Sequence, residues 1–127
     1  MAFDCICIDF QNKESKKNIE IIKEKFPYVE MRPFIKSYKN IIDFFVNHSK
    51  TEYIWILSSL CNYKKFDFDY IPEQFERKQI HTWSVEGQDE GDTFLITKEY
   101  LKQKIKFLRD YKDINYQRDK GQVIGLL

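Results

Sequence analysis

Three short apolar runs in the first half of the chain predict three β-strands, over residues 3–10, 28–35 and 51–57. The first and third, FDCICIDF and TEYIWIL, are almost continuously apolar, which is typical of strands buried on both faces of a sheet. Pro33 lies in the second run. Because proline lacks a backbone N–H, we expect this strand at an edge of the sheet.

The two segments between these runs, residues 12–26 and 38–49, have apolar residues at helical spacing. Pro27 ends the first predicted helix, and Ser37 can cap the second. The inward-facing residues predicted on the two helices are Ile19, Ile22, Phe26, Ile41, Ile42 and Phe45. This strand–helix order with short connections favours three parallel strands joined by right-handed crossovers.

After residue 57 the regular alternation stops. Residues 79–85 alternate as a half-buried strand would, residues 93–97 form another apolar run, and residues 98–111 have helical spacing after a capping Thr97. Residues 112–116 predict a last short strand. With 127 residues, 43% of them hydrophobic, the chain is expected to form one domain over residues 1–127, with residues 115–127 as a candidate flexible tail.

Charge adds little at the level of the whole chain, because the net charge is only +1. Its distribution is uneven: residues 60–96 hold eight acids and four bases, and residues 97–127 hold four acids and eight bases. One interpretation is an acidic loop region beside a solvated basic helix. The other is that the separation of acidic and basic residues positions an anionic ligand or a protein partner. The basic residues of the last helix spread around several faces, which makes nucleic acid an unlikely partner.

The three cysteines, Cys5, Cys7 and Cys61, are an odd number without metal-binding spacing, so we expect buried core thiols. Of these, Cys61 is expected to be the more exposed, because it follows the end of a strand. The N-terminus has no charged region followed by a signal-length apolar stretch, and no segment resembles a membrane span. A cytoplasmic protein with reduced thiols and no membrane contact is the expectation.

Two acidic residues, Asp67 and Asp69, lie two positions apart in the aromatic segment FDFDY. In an extended chain both carboxylates share one face, where they could hold Mg²⁺ or Mn²⁺ or divide acid and base roles. A short edge strand with a wet face and an aromatic face on the core is the plainer interpretation.

His81 and Trp83 also lie two apart, on one face of a predicted strand. The indole could stack on a sugar or a base while the imidazole handles a proton, or the two rings could simply pack beneath a loop. Asp92 stands at the start of the strand over residues 93–97, where it is either a catalytic base or a turn residue. The chain contains no phosphate-binding glycine motif and no nucleophile elbow, which argues against P-loop, dinucleotide and serine hydrolase sites.

The order of these elements resembles a glycosyltransferase of the GT-A type. In that family a Rossmann-like strand–helix half holds a nucleotide-sugar, the central strand ends in an acidic DxD signature that binds a divalent metal, and a later strand–helix unit helps to hold the acceptor. Here TEYIWIL resembles the strand before the signature, and GDTFLITKEYLKQKI is similar to the later unit. The combination of KTEYIWILSS, YKKFDFDYIPEQFERKQIHTWS and GDTFLI also resembles uncharacterised glycosyltransferase-like domains of viral and phage proteins.

The resemblance implies an α/β fold, a three-layer Rossmann-like (GT-A-like) sandwich with a mixed, mostly parallel sheet. It implies a nucleotide-sugar site at the strand ends near Asp9, Ile35 and Ser59. At the position of the acidic signature this chain has SSLCN, which makes Ser58, Ser59 and Asn62, together with Asp9 and Trp83, the candidate substrate-binding residues.

In this interpretation Asp67 and Asp69 would be substitute ligands for Mn²⁺ or Mg²⁺, and Asp92 or His81 the catalytic base. Because hydroxyls and an amide bind a divalent cation poorly, the domain is expected to be a glycosyltransferase if active, but one that has lost part of its catalytic apparatus. Two alternatives stay open: a non-catalytic binding or assembly module of a larger viral protein, and a weak nucleic-acid or phosphate binder.

Overall fold

The computed structural model describes residues 3–33, 38–64, 66, 68–69, 81–84, 93–104 and 122–126. Its elements, in chain order, are β1 (Asp4–Asp9), α1 (Lys13–Lys25), β2 (Glu30–Pro33), α2 (Tyr38–His48), β3 (Tyr53–Ser58), β4 (His81–Ser84), β5 (Thr93–Thr97), α3 (Lys98–Lys104) and β6 (Gln122–Leu126). This is an α/β fold, as predicted.

The strands form one open, mixed sheet in the order β2-β1-β3-β5-β4-β6. β1 lies between β2 and β3 and is parallel to both, which confirms the predicted parallel half. β5 is antiparallel to β3 and β4, and β4 is parallel to β6. β2 ends at an exposed Pro33 and lies at the edge of the sheet, as its proline predicts.

Alternate residues of each central strand pack on opposite faces of the sheet. Ile6 and Ile8 belong to a core cluster that includes α2 and α3 residues, and we call this side the first face. Cys5 and Cys7 belong to a second cluster with Ile22 of α1 and Phe26, which directly follows that helix, on what we call the second face. The β3 residues are buried throughout, which explains why that strand is apolar at every position from Tyr53 to Leu57.

The helices begin where side chains can cap them. Asn12 caps α1, since its Oδ1 accepts a hydrogen bond from the Ser15 backbone N–H at 2.8 Å. Thr97 caps α3 in the same way, accepting from the Tyr100 N–H at 3.2 Å. The predicted inward faces of the first two helices are largely confirmed, because Ile22, Phe26, Ile42 and Phe45 are buried and Ile19 is half-buried. The side chain of Ile41 lies outside the described part of the structure.

The chain turns back under the second face after β3. Cys61 and Tyr63 are fully buried there, and the rings of Phe66 and Phe68 pack against the same cluster. The predicted exposure of Cys61 was therefore wrong: its N–H bonds the Ser58 carbonyl in a tight turn that carries the thiol into the core. The predicted aromatic face of FDFDY does pack on the core, but as a turn rather than an edge strand in its described residues.

At the opposite end of the strands, the Asp4 side chain holds the loop between α2 and β3 by hydrogen bonds. Its Oδ2 accepts hydrogen bonds from Ser49 Oγ at 2.8 Å, the Lys50 N–H at 2.7 Å and the Thr51 N–H at 3.2 Å. Lys98 of α3 donates a hydrogen bond to the Ser49 carbonyl, so this lysine of the basic helix helps to hold the same loop.

Parts of the predicted organisation lie outside the described residues, including residues 85–92, 105–121 and Ser37. Within the segment assigned as a candidate tail, β6 pairs with β4. No helix among the described residues is long and apolar enough to cross a membrane.

Candidate functional site

The strand order has a switch point between β1 and β3, and we call the position outside the carboxyl ends of these two strands the crevice. From β1 the chain crosses through α1 to β2 on one side, and β3 lies on the other side of β1. In open α/β sheets, ligands bind outside the carboxyl ends of the strands at such a switch point. Here the crevice is bordered by residues 9–12 after β1 and residues 58–62 after β3.

Ser59 forms the floor of this crevice. Its Oγ accepts a hydrogen bond from the Phe10 N–H at 2.8 Å and lies 2.8 Å from Ser15 Oγ. Since the Ser15 hydroxyl donates to Asn12 Oδ1 at 2.9 Å, the proton between the two serines comes from Ser59. The result is a directed chain of hydrogen bonds that runs from Phe10 through both hydroxyls to Asn12.

The backbone of Ser59 is held as firmly as its side chain. Its N–H donates to the Ile8 carbonyl at 3.0 Å, and its carbonyl accepts from Asn18 Nδ2 at 2.8 Å. Ser59, Ser15 and Asn18 are all buried. Ser59 therefore connects β1, α1 and β3, and its hydroxyl is hydrogen-bonded within the chain instead of facing solvent.

The loop after β1 is a tight turn shaped by Asp9. Its Oδ1 accepts a hydrogen bond from the Gln11 N–H at 2.8 Å, and Gln11 has a left-handed backbone with φ of 57°. Asp9 is half-buried, whereas Gln11 and Asn12 are exposed. Among the residues that the structure describes, none forms a hydrogen bond with the second carboxylate oxygen of Asp9, so this oxygen is available as an acceptor.

Ser58 is buried like Ser59, but its contacts lead in another direction. Its Oγ accepts from the Leu60 N–H at 3.1 Å, and its own N–H donates to the Tyr63 hydroxyl at 3.1 Å. That hydroxyl lies 2.6 Å from Thr93 Oγ1, at the start of β5. Since β5 is antiparallel to β3, its start lies at the same edge as the end of β3.

The exposed rim of the crevice comes from the loop after β3. Leu60 has 38% of its surface exposed, and Asn62 is exposed with its Oδ1 accepting from the Lys64 N–H at 2.9 Å. The Asn62 amide nitrogen is thus turned away from that bond. Of the candidate residues after β3, Asn62 is the one with an accessible side chain.

Asp69 lies apart from the crevice. The neighbouring Phe68 packs edge-on against Phe26 with ring centroids 4.6 Å apart, and Phe26 follows the C-terminal end of α1. The crevice is at the N-terminal end of that helix. Asp69 is exposed, and Asp67 lies outside the described residues. Among the residues that the structure describes, no group of three His, Cys, Asp or Glu side chains is arranged to hold a metal.

His81 is fully buried at the start of β4, opposite Leu95 in the ladder. Directly opposed residues share a face, so the imidazole belongs to the second face, in the interior. Trp83 pairs with Thr93 and therefore lies closer than His81 to the side of the sheet where β1 and β3 end. Asp92 lies outside the described residues, one position before Thr93.

Sequence reasoning missed the polar residues behind the crevice: Ser15, Asn18, Tyr63 and Thr93. Asn12 and Ser15 have the three-residue spacing of a helix cap and its first turn, which could have indicated their contact. Tyr63 left no comparable pattern, because its partner Thr93 is 30 positions away.

Comparison of the chain with protein-family models, with curated proteins and with solved structures finds no match.

Proposed function

We propose that this chain is a glycosyltransferase-like domain that binds a nucleotide-sugar in the crevice between the carboxyl ends of β1 and β3. The observation that carries the proposal is the switch point itself, at which the loops carrying Asp9 and Asn62 border one opening. With α1 on one face of the sheet and α2 and α3 on the other, the proposed architecture is a three-layer Rossmann-like sandwich of the GT-A type.

The position of the later strand–helix unit supports the same proposal. β5 lies directly beside β3, begins at the carboxyl edge and leads without interruption into α3. In the GT-A type such a unit helps to hold the acceptor next to the nucleotide. The Tyr63–Thr93 hydrogen bond fixes its start against the loop that borders the crevice.

The crevice offers suitable groups for a nucleotide. The free Asp9 oxygen can accept hydrogen bonds from ribose hydroxyls or from a base N–H, and Asn62 can donate or accept at the rim. Lys13 opens α1 directly after the loop that borders the crevice, and its side chain is exposed. This cation can balance part of the charge of a diphosphate.

We propose that the domain binds a nucleotide-sugar but lacks part of the apparatus that would transfer the sugar. Ser58 and Ser59 stand where a metal-binding acid pair is expected, and both hydroxyls make internal hydrogen bonds. Transfer would need Mn²⁺ or Mg²⁺ and a base as well. Asp69 lies at the far end of α1 from the crevice and His81 is fully buried, so their positions do not support the roles of metal ligand and base expected from the sequence. Asp67 and Asp92, which lie outside the described residues, are the proposed metal ligand and base if binding requires the metal.

The test is thermal unfolding with millimolar UDP-glucose or GDP-mannose, each with and without Mn²⁺. A ligand that binds the folded state at one hundred times its Kd adds roughly 2.7 kcal/mol to the unfolding free energy and raises Tm by about 10 °C. An Asp9→Ala variant should lose this shift, while Asp43→Ala, which removes an exposed acid on α2, should keep it. A shift that needs Mn²⁺ and disappears in Asp67→Ala or Asp69→Ala would add the metal site.

A non-catalytic assembly module is the second candidate, because the buried Ser59 uses its hydroxyl and both backbone polar groups to hold the fold. Absence of any shift with either nucleotide-sugar, with or without Mn²⁺, would reject the first proposal and favour the second.

A further inference from the structure

The pairing between β3 and β5 stops before both strands end. The ladder runs from Tyr53 opposite Thr97 to Ile56 opposite Phe94. β3 nevertheless continues to Ser58, and β5 begins one residue before Phe94, at Thr93. Beyond Ile56 and Phe94 no ladder pair joins the residues of the two strands that the structure describes, and in this gap the Ser58 N–H bonds a side chain instead of a ladder carbonyl.

The side chain in this gap is Tyr63. Its hydroxyl oxygen accepts from the Ser58 N–H at 3.1 Å and lies 2.6 Å from Thr93 Oγ1. The three residues are at most 1% exposed, so water cannot take over these hydrogen bonds without local opening. The phenol ring is itself held edge-on by Phe66, with ring centroids 5.7 Å apart.

The hydroxyl stays protonated in this environment. Burial raises the pKa of Tyr63 well above its usual value, the nearby Cys61 thiol adds to that rise, and the hydrogen bonds from Thr93 and Ser58 oppose it only in part. A neutral phenol that accepts from Ser58 can donate its proton to Thr93. One group thus joins the end of β3 to the start of β5.

We propose that Tyr63 is a positioning residue of the site: its hydroxyl fixes the start of β5 against the loop that forms the crevice. The ligand-dependent part of this inference rests on the proposed function. Ser58 adjoins Ser59 at the crevice floor, and Thr93 directly follows Asp92, the proposed base. Ligand binding in the crevice should consequently change the amide protection of residues 93–95 at the start of β5.

The first test needs no ligand. In amide hydrogen exchange, Tyr63→Phe should speed exchange of the Ser58 amide by about tenfold, because that N–H loses its acceptor. It should also loosen residues 93–95, because the hydrogen bond to Thr93 is lost. The matched control is Tyr28→Phe, which removes a hydroxyl from a tyrosine that is 52% exposed. Unchanged exchange at both places in Tyr63→Phe would overturn the proposal.

Substitutions of Thr93 give a second route if Tyr63→Phe does not fold. Thr93→Val removes the hydroxyl and should loosen residues 93–95 as Tyr63→Phe does, whereas Thr93→Ser keeps the hydroxyl and should restore protection. Where Tyr63→Phe does fold, the loss of protection in its double variant with Thr93→Val should be clearly smaller than the sum of the two single losses. Additive losses, or no rescue by serine, would contradict the proposal.

The ligand test separates positioning from simple support of the fold. With UDP-glucose or GDP-mannose bound, the wild type should gain protection at residues 10–12 and at residues 93–95. Tyr63→Phe should keep the gain at residues 10–12 and lose it at residues 93–95; equal gains in both proteins would overturn the coupling. If neither nucleotide protects the wild type, the proposed function fails, and the exchange of the ligand-free variants alone decides the role of Tyr63.

Discussion

Replacing Ser59 with alanine tests the internal chain of hydrogen bonds at the crevice floor. The substitution leaves the Phe10 N–H without its acceptor and removes the proton donated to Ser15. The Ser59 backbone bonds to Ile8 and Asn18 remain, as does the Ser15 hydroxyl bond to Asn12. The cost is therefore one donor without its acceptor and one weakened acceptor, around a hydroxyl that is itself fully buried.

A buried donor left without a partner costs about 1–3 kcal/mol, so we expect Ser59→Ala to lower the unfolding free energy by about 2 kcal/mol. For a chain of this size that corresponds to a fall in Tm of roughly 8 °C. Ser58→Ala is the matched comparison, since Ser58 Oγ accepts only from the N–H of the exposed Leu60, where water can substitute.

Urea denaturation of the wild type and the two variants, followed by tryptophan fluorescence, gives the free energies directly. We expect Ser59→Ala to lose at least twice as much stability as Ser58→Ala, with unchanged m-values. Equal losses, or a larger loss for Ser58→Ala, would refute the view that Ser59 is the central tie between β1, α1 and β3.

Three further predictions concern other parts of the fold. Burial acts to raise the Asp4 pKa, but the hydrogen bonds from Lys50, Ser49 and Thr51 outweigh it and lower the pKa. The carboxylate thus stabilises the fold at pH values above its unfolded pKa. Urea titrations should show that Asp4→Asn is about 1 kcal/mol less stable than the wild type at pH 7, and that this difference disappears as the pH falls through the folded pKa. A difference that stays constant with pH would contradict this prediction. Burial also raises the pKa of the Cys5 and Cys7 thiols, and Cys61 is buried too, so a thiol reagent should label none of the three in the folded protein and all three in urea; rapid labelling of the native protein would be the opposite result. Lys25 Nζ donates to the carbonyls of Lys64 and Phe66 and lies 5.5 Å from the centroid of the Phe68 ring. Lys25→Met should therefore speed tryptic cleavage after Lys64, whereas the control Lys23→Met should not. Equal cleavage in the two variants would show that Lys25 does not hold this segment in place.

The parallel half of the sheet could be predicted because its residues follow simple periods. A strand buried on both faces must be apolar at every position, and TEYIWIL satisfies that condition in sequence as β3 does in structure. Pro33 likewise constrained β2 to an edge, since an interior strand would need its missing N–H.

The site was harder to predict, because its contacts join residues far apart in the chain. Ser59 was placed at the end of β3 from sequence, but its bonds to Ser15 and Asn18 depend on how α1 packs. Cys61 shows the same limit: a position after a strand is usually exposed, yet here a turn carries the thiol into the core. β6 was missed because its pairing with β4 connects segments about 40 positions apart.

The most direct test of the central claim is an NMR titration of the ¹⁵N-labelled protein with UDP-glucose and GDP-mannose. The account predicts saturable shifts for at least one nucleotide-sugar, largest at the amides of Gln11, Asn12, Leu60 and Asn62, which border the crevice. It predicts that Asp9→Ala weakens binding and that Asp43→Ala does not. No shifts at millimolar ligand, or shifts confined to α2 and the β2 edge, would contradict a nucleotide-sugar site between β1 and β3.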